Sequence, residues 1–109
     1  MIKTIGAPEL KEKMENGENI ILVDCREQAE WDAGHIPGAV FMPLSALPEH
    51  AQDLNKGATI IMQCRSGQRS MKACLYLQSE GFEDLTNLDG GIMGWAGCGY
   101  PVTEPEENA

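Results

Sequence analysis

The residues best equipped for chemistry stand in one short run, Cys64-Arg65-Ser66-Gly67-Gln68-Arg69, followed by Ser70. A cysteine is nucleophilic as its thiolate, so the question is whether its neighbours favour the anion. Two of the chain's eight basic residues, Arg65 and Arg69, lie in this run beside Cys64. Gly67 permits a tight backbone curl in which successive N–H groups face inward as a nest for an anion. Ser66 and Ser70 add hydroxyl donors. Such a cradle suits the anionic terminal sulfur of a cysteine persulfide, and the arginines suit planar or tetrahedral oxyanions. The chemistry indicated is capture of sulfur by Cys64 from an anionic donor of the thiosulfate type. Sulfite would leave, and a thiophilic acceptor such as cyanide or a thiol would take the sulfur. A cysteine after a strand is also a common small buried residue, but the Arg, Gly and Ser around Cys64 favour the reactive reading.

The elements around this run are those of an α/β domain. Thr59 to Gln63 is the strongest strand in the chain, and Cys64 follows it directly. From Ser66 or Gly67 to about Glu80 the pattern turns helical, with Met71, Cys74, Leu75 and Leu77 on a broad apolar face. A helix N-terminus therefore points at the cysteine and adds partial positive charge. Asn19 to Asp24 reads as a buried parallel strand, because it is apolar without alternation. Ala39 to Met42 and Leu85 to Leu88 read as shorter strands. Helical patterns follow Pro8, span Glu27 to Ala33, run from Ser45 toward Leu54, and open at Gly90-Gly91 through Trp95. Strands alternating with helices imply one domain around a mostly parallel sheet, with ligands held outside the carboxyl ends of the strands. Residues 103–109 read as a frayed acidic tail.

Seventeen acidic residues against eight basic ones give a formal charge of −9, which argues against general nucleic-acid binding. No apolar run approaches a membrane span, and the N-terminus lacks the apolar centre of a secretory signal, so a cytoplasmic location is expected. Cysteines 25, 64, 74 and 98 show no paired spacing, and neither His35 nor His50 falls at ligand spacing, so a zinc site is poorly supported. Two disulfides are possible by count, but free thiols are the better reading.

Three segments together identify a resemblance to the rhodanese family over almost the whole chain. The run C-R-S-G-Q-R is similar to the family's six-residue active-site loop. Asp24-Cys25-Arg26-Glu27-Gln28-Ala29-Glu30-Trp31-Asp32-Ala33-Gly34-His35-Ile36-Pro37-Gly38-Ala39 resembles its upstream signature, D-x-R-x-x-x-E-Y/F/W-x-x-G-H-I-x-G-A. Gly90-Gly91-Ile92-Met93-Gly94-Trp95, with Gly99-Tyr100-Pro101-Val102, is similar to its closing G-G-x-x-x-W and G-x-P-V. The resemblance implies a single α/β domain over 1–109, with about five strands in a mostly parallel sheet and helices on both faces. It implies Cys64 as the persulfide-forming nucleophile, no cofactor, and a loop of Arg65, Ser66, Gly67, Gln68, Arg69 and Ser70 that holds the transferred sulfur. Phosphatases of the same fold use C-x5-R, whose extra residue widens the cradle for phosphate. Arg69 follows Cys64 after only four residues, which favours sulfur over the phosphatase or arsenate-reductase reading. Arg65 resembles thiosulfate-type rather than mercaptopyruvate-type loops.

Other residues carry weaker expectations. Asp24 and Arg26 can orient the loop, although a structural role is favoured. Arg26 and Glu30 are four apart and spaced to pair on a short helix. His35 belongs to a fold-supporting turn by resemblance, His50 to a solvated helix, and Trp31 and Trp95 to packing. Cys74 is expected in the core, Cys25 partly accessible, and Cys98 exposed, with Cys98 a minor candidate for a thiol that resolves the persulfide. Two alternatives to a thiosulfate enzyme remain: a carrier passing persulfide from a protein donor to a protein acceptor, and a regulatory module without catalysis, against which the intact Cys64 argues. A monomer or weak homodimer is expected.

Overall fold

Ile60-Ile61-Met62-Gln63 offers no polar face, so it needs cover on both sides. The computed structural model, which describes residues 2–104, gives it that cover as the central strand of a parallel sheet. The elements run β1 (Lys3–Ile5), α1 (Ala7–Glu15), β2 (Ile21–Asp24), α2 (Gln28–Ala33) and β3 (Val40–Phe41). A 3-10 turn at Leu44–Ala46 leads into α3 (Leu47–Ala51), then β4 (Ile60–Gln63), α4 (Gln68–Ser79), β5 (Leu85–Leu88) and α5 (Gly91–Gly97). The strand order is β1-β5-β4-β2-β3, with every neighbouring pair parallel. Asp24 lies opposite Gln63 in register, so β2 and β4 end level and their following loops share one edge of the sheet.

Each sheet face has its own core. Val23, Met62, Ala73, Cys74, Leu77 and Leu85 pack together on the α3 and α4 side. Leu10, Leu22, Ile36, Ile61, Leu88 and Trp95 pack on the α1 and α5 side. Burial alternates along β2 and β4 between these two cores, as the two-residue strand period requires. Helices therefore flank both faces, as expected.

Three local differences from the sequence reading have physical causes. β1 is a three-residue edge strand, too short for a periodic signal, and its existence depends on pairing with β5 at Lys3–Thr86 through Ile5–Leu88. The helix expected from Ser45 is a 3-10 turn followed by a short α3, because Pro48 at the first turn resets the segment. Thr103, assigned to the tail, is held in an antiparallel bridge with His35, its N–H donating to the His35 carbonyl at 2.8 Å. Residues 105–109 of that tail lie outside the described residues. Among the described residues, no helix is long and apolar enough to cross a membrane.

Candidate functional site

β4 delivers Cys64 to the carboxyl edge of the sheet, and Gly67 turns the chain into α4. Gly67 adopts φ +113°, a left-handed conformation that glycine enters without a Cβ penalty. This curl folds the loop over the sulfur. The Gly67 N–H donates to Cys64 Sγ at 3.1 Å and the Ser70 N–H at 3.3 Å, both from the first turn of α4 and its cap. Ser70 Oγ stands 3.3 Å from the same sulfur. Cys64 is 1% exposed. Burial pushes its thiol pKa up, but hydrogen bonds from the Ser70 hydroxyl, the Ser70 N–H, the Gly67 N–H and the Ser66 N–H outweigh this and hold it below the ordinary value. The N–H groups of Gly67 and Ser70 thus both face the cysteine sulfur.

The loop's carbonyls are held from outside by α5. The Ile92 N–H donates to the Cys64 carbonyl at 2.9 Å and the Met93 N–H to the Arg65 carbonyl at 3.1 Å. With the carbonyls drawn toward the start of α5, the loop's N–H groups are left to face the sulfur. So close an approach requires Gly91, whose added Cβ would fall 2.4 Å from both of those carbonyl oxygens.

The two arginines divide. Arg69 Nη1 and Nη2 donate to Glu30 Oε1 and Oε2 at 2.7 and 2.8 Å, a bidentate pair between α4 and α2. The Arg69 hydrogen bond holds the Glu30 carboxyl down to about 2, and the same bond raises the guanidinium. Glu30 also accepts from the Glu27 N–H at 3.0 Å, so one carboxylate caps α2 and fastens α4. The Glu30 partner expected from spacing, Arg26, is engaged elsewhere. Arg65, Ser66 and Gln68 are exposed on the loop. Among the described residues, the Arg65 guanidinium has no side-chain partner.

Residues 6–98 match the family described as rhodanese-like domain. The chain belongs to that family. It is 37% identical over 106 residues to a sulfurtransferase of Allochromatium vinosum, covering 97% of this chain and 99% of that one. It is 32% identical over 85 residues to the thiosulfate sulfurtransferase GlpE of Tolumonas auensis, covering 78% and 79%. Among solved structures, the rhodanese-like domain of the Alr3790 protein from Anabaena superposes with a TM-score of 0.88 at 30% identity, over all of this chain and 86% of that one.

The remaining residues of the rhodanese-like domain sort by burial. Asp24 and Arg26 are both buried and pair with each other, Arg26 Nη2 donating to Asp24 Oδ2 at 2.8 Å and to the Gly34 carbonyl at 2.6 Å. They thus lock β2 to the turn after α2. Cys25, expected to be partly accessible, is fully buried, because the residue directly after β2 falls into the core on the α3 and α4 side, the one that Met42 also joins. Burial raises the Cys25 and Cys74 thiols to about 12, which makes both poor nucleophiles. Cys98 is exposed. His35 stacks on Trp31 with ring centroids 3.6 Å apart, and Trp95 donates from Nε1 to the Pro101 carbonyl at 2.7 Å. Sequence reasoning missed Asn87. A polar residue in the buried strand β5 was the available signal, and its side chain reaches both Ser70 and Gly67.

Proposed function

We propose that this protein is a sulfurtransferase that carries sulfane sulfur as a persulfide on Cys64, with a thiosulfate-type anion as donor and cyanide or a thiol as acceptor. The observation that carries this reading is the pair of backbone N–H donors, from Gly67 and Ser70, that converge on Cys64 Sγ at 3.1 and 3.3 Å. They favour the thiolate over the thiol. The thiolate, its proton released to solvent, attacks the sulfane sulfur of the donor. The donor's S–S bond breaks, sulfite leaves with the bonding pair, and an Sγ–S bond forms. A nucleophilic acceptor then attacks the terminal sulfur, and the Sγ–S pair returns to Cys64. No net oxidation occurs, and no cofactor enters the balance.

Arg65, exposed and unpaired among the described residues, is the cation suited to recruit the donor's oxyanion end. Arg69 is reserved for Glu30, which also disfavours phosphoryl chemistry, since both terminal nitrogens of its fork are already on a carboxylate. A thiosulfate donor agrees with the name given to the Tolumonas relative, and sulfur transfer with that of the Allochromatium relative. The test is intact mass after incubation with thiosulfate, before and after cyanide, for the wild type and Cys64→Ala. A gain of one sulfur that cyanide removes, absent in the variant, supports the assignment. No adduct on the wild type overturns the thiosulfate donor, and an adduct persisting in the variant moves the chemistry away from Cys64.

A further inference from the structure

Ser70 has one hydroxyl proton and two claimants. Its Oγ lies 3.3 Å from Cys64 Sγ and within hydrogen-bond distance of Asn87 Oδ1. The orientation of the Asn87 amide is fixed from its other end, where Nδ2 donates to the Gly67 carbonyl at 3.1 Å. A carbonyl only accepts, so the amide nitrogen must face Gly67 and the amide oxygen must face Ser70. That oxygen also only accepts. With Cys64 as a thiol, the chain of donors runs in one direction: Sγ–H to Ser70 Oγ, Oγ–H to Asn87 Oδ1. With Cys64 as a thiolate, the Ser70 proton is wanted by the sulfur, and donating it there strips Asn87 Oδ1 of its partner. Ser70 is fully buried and Asn87 is 5% exposed, so water does not readily replace the lost bond.

We propose that Asn87 is a positioning residue for the Cys64 chemistry, competing with the cysteine sulfur for the single Ser70 hydroxyl proton while tying the loop down at Gly67. The inference rests on the reading of Cys64 as the nucleophile. Its role is to offset part of the thiolate stabilisation that the loop's N–H groups supply until a donor arrives, and to take back the Ser70 proton once negative charge moves to the terminal sulfur. Among the described residues, the other titratable and charged groups near the sulfur are Cys25 at the end of β2, Arg69 on α4, held by Glu30 of α2, and the exposed Arg65 next to Cys64 in the loop. None of them is a hydrogen-bond partner of Ser70 or Asn87, so the competition is confined to these two side chains.

The competition has a signature that mere support of the fold does not. Removing the rival acceptor frees the Ser70 proton for the sulfur, so Asn87→Ala should lower the Cys64 pKa, by about one pH unit for one charge-assisted bond. Simple loosening of the loop would weaken the Gly67 and Ser70 N–H donors and raise it. The effect must also vanish without the hydroxyl. In a Ser70→Ala background, Asn87→Ala should leave no such lowering. The measurement is the rate of Cys64 alkylation by iodoacetamide against pH, read on its own peptide by mass spectrometry so that the other cysteines do not contribute. Asn87→Leu, which fills the volume but withholds both polar atoms, serves as the second variant and should shift in the same direction. A Cys64 pKa unchanged or raised in whichever variant folds, or lowered equally with and without the Ser70 hydroxyl, overturns the proposal. Alkylation needs no sulfur donor. A protein that never gains sulfur from thiosulfate fails the reading of function, whereas a Cys64 blind to residue 87 fails this inference.

Discussion

Gly91→Ala tests whether the start of α5 holds the sulfur cradle in shape. Gly91 has φ +55°, and a non-glycine residue there costs about 1–2 kcal/mol in backbone strain. The new methyl would lie 2.4 Å from the carbonyl oxygens of Cys64 and Arg65, so α5 must retreat from the loop. Retreat breaks the Ile92 and Met93 N–H bonds to those carbonyls, at about 0.5–1.5 kcal/mol each. The sum is a destabilisation of roughly 2–5 kcal/mol, a large share of the ~5–15 kcal/mol typical of a domain. Released carbonyls let the loop relax, the N–H groups of Gly67 and Ser70 drift from Sγ, and the Cys64 pKa rises. A rise of one unit removes about nine-tenths of the thiolate at a pH well below the pKa, a roughly tenfold loss in rate at that pH. Denaturant melts followed by circular dichroism and the pH profile of Cys64 alkylation read the two effects. A variant within about 1 kcal/mol of the wild type and with unchanged Cys64 titration would refute the argument.

Four further outcomes follow from the same geometry. Arg65→Ala should raise KM for thiosulfate by about tenfold or more, the worth of one charge-assisted hydrogen bond, with little change in kcat, as steady-state kinetics with cyanide would show. Glu30→Gln should cost at most about 1 kcal/mol in a denaturant melt, because the Glu30–Arg69 pair is about one-third exposed and screened by solvent. The Glu30 carboxyl is held from 4.5 down to about 2, so its contribution is complete above pH 4.5 and fades as pH falls toward 2. The stability gap between wild type and Glu30→Gln, followed against pH, should therefore close on acidification and not on alkalinisation. With limiting iodoacetamide at neutral pH, Cys98, which is exposed, and Cys64, whose thiol is held below its ordinary value, should be modified while Cys25 and Cys74, raised to about 12, remain free in the native protein. Labelling of Cys25 ahead of Cys98 would contradict the burial described.

The loop was legible in the sequence because its signal is local. An unbroken apolar strand, a cysteine, a glycine and a helical repeat follow one another without interruption, and each fixes the position of the next. The three buried strands β2, β4 and β5 were legible for the same reason, through their covered faces. What escaped depends on contacts distant in the chain. Lys3–Ile5 becomes a strand because β5 lies beside it. Arg69, read as an anion ligand, is met by a carboxylate 39 residues earlier that spacing had assigned to Arg26. Asn87 lies 17 residues beyond Ser70, and only the parallel pairing of β4 with β5 brings it beneath the loop.

The strand order has a consequence for how the protein fails. β4 has β5 on one side and β2 on the other, whereas the sheet's edges are the three-residue β1 and the two-residue β3. Fraying begins at such edges and costs little, while a strand between two neighbours opens only when the sheet does. Amide protons of Ile61 and Met62 should therefore exchange with solvent at the rate of whole-molecule unfolding. The cysteine inherits that lifetime. Activity lost on heating should fall along the same curve as the cooperative loss of structure, with no earlier step in which a folded protein has already released its sulfur site.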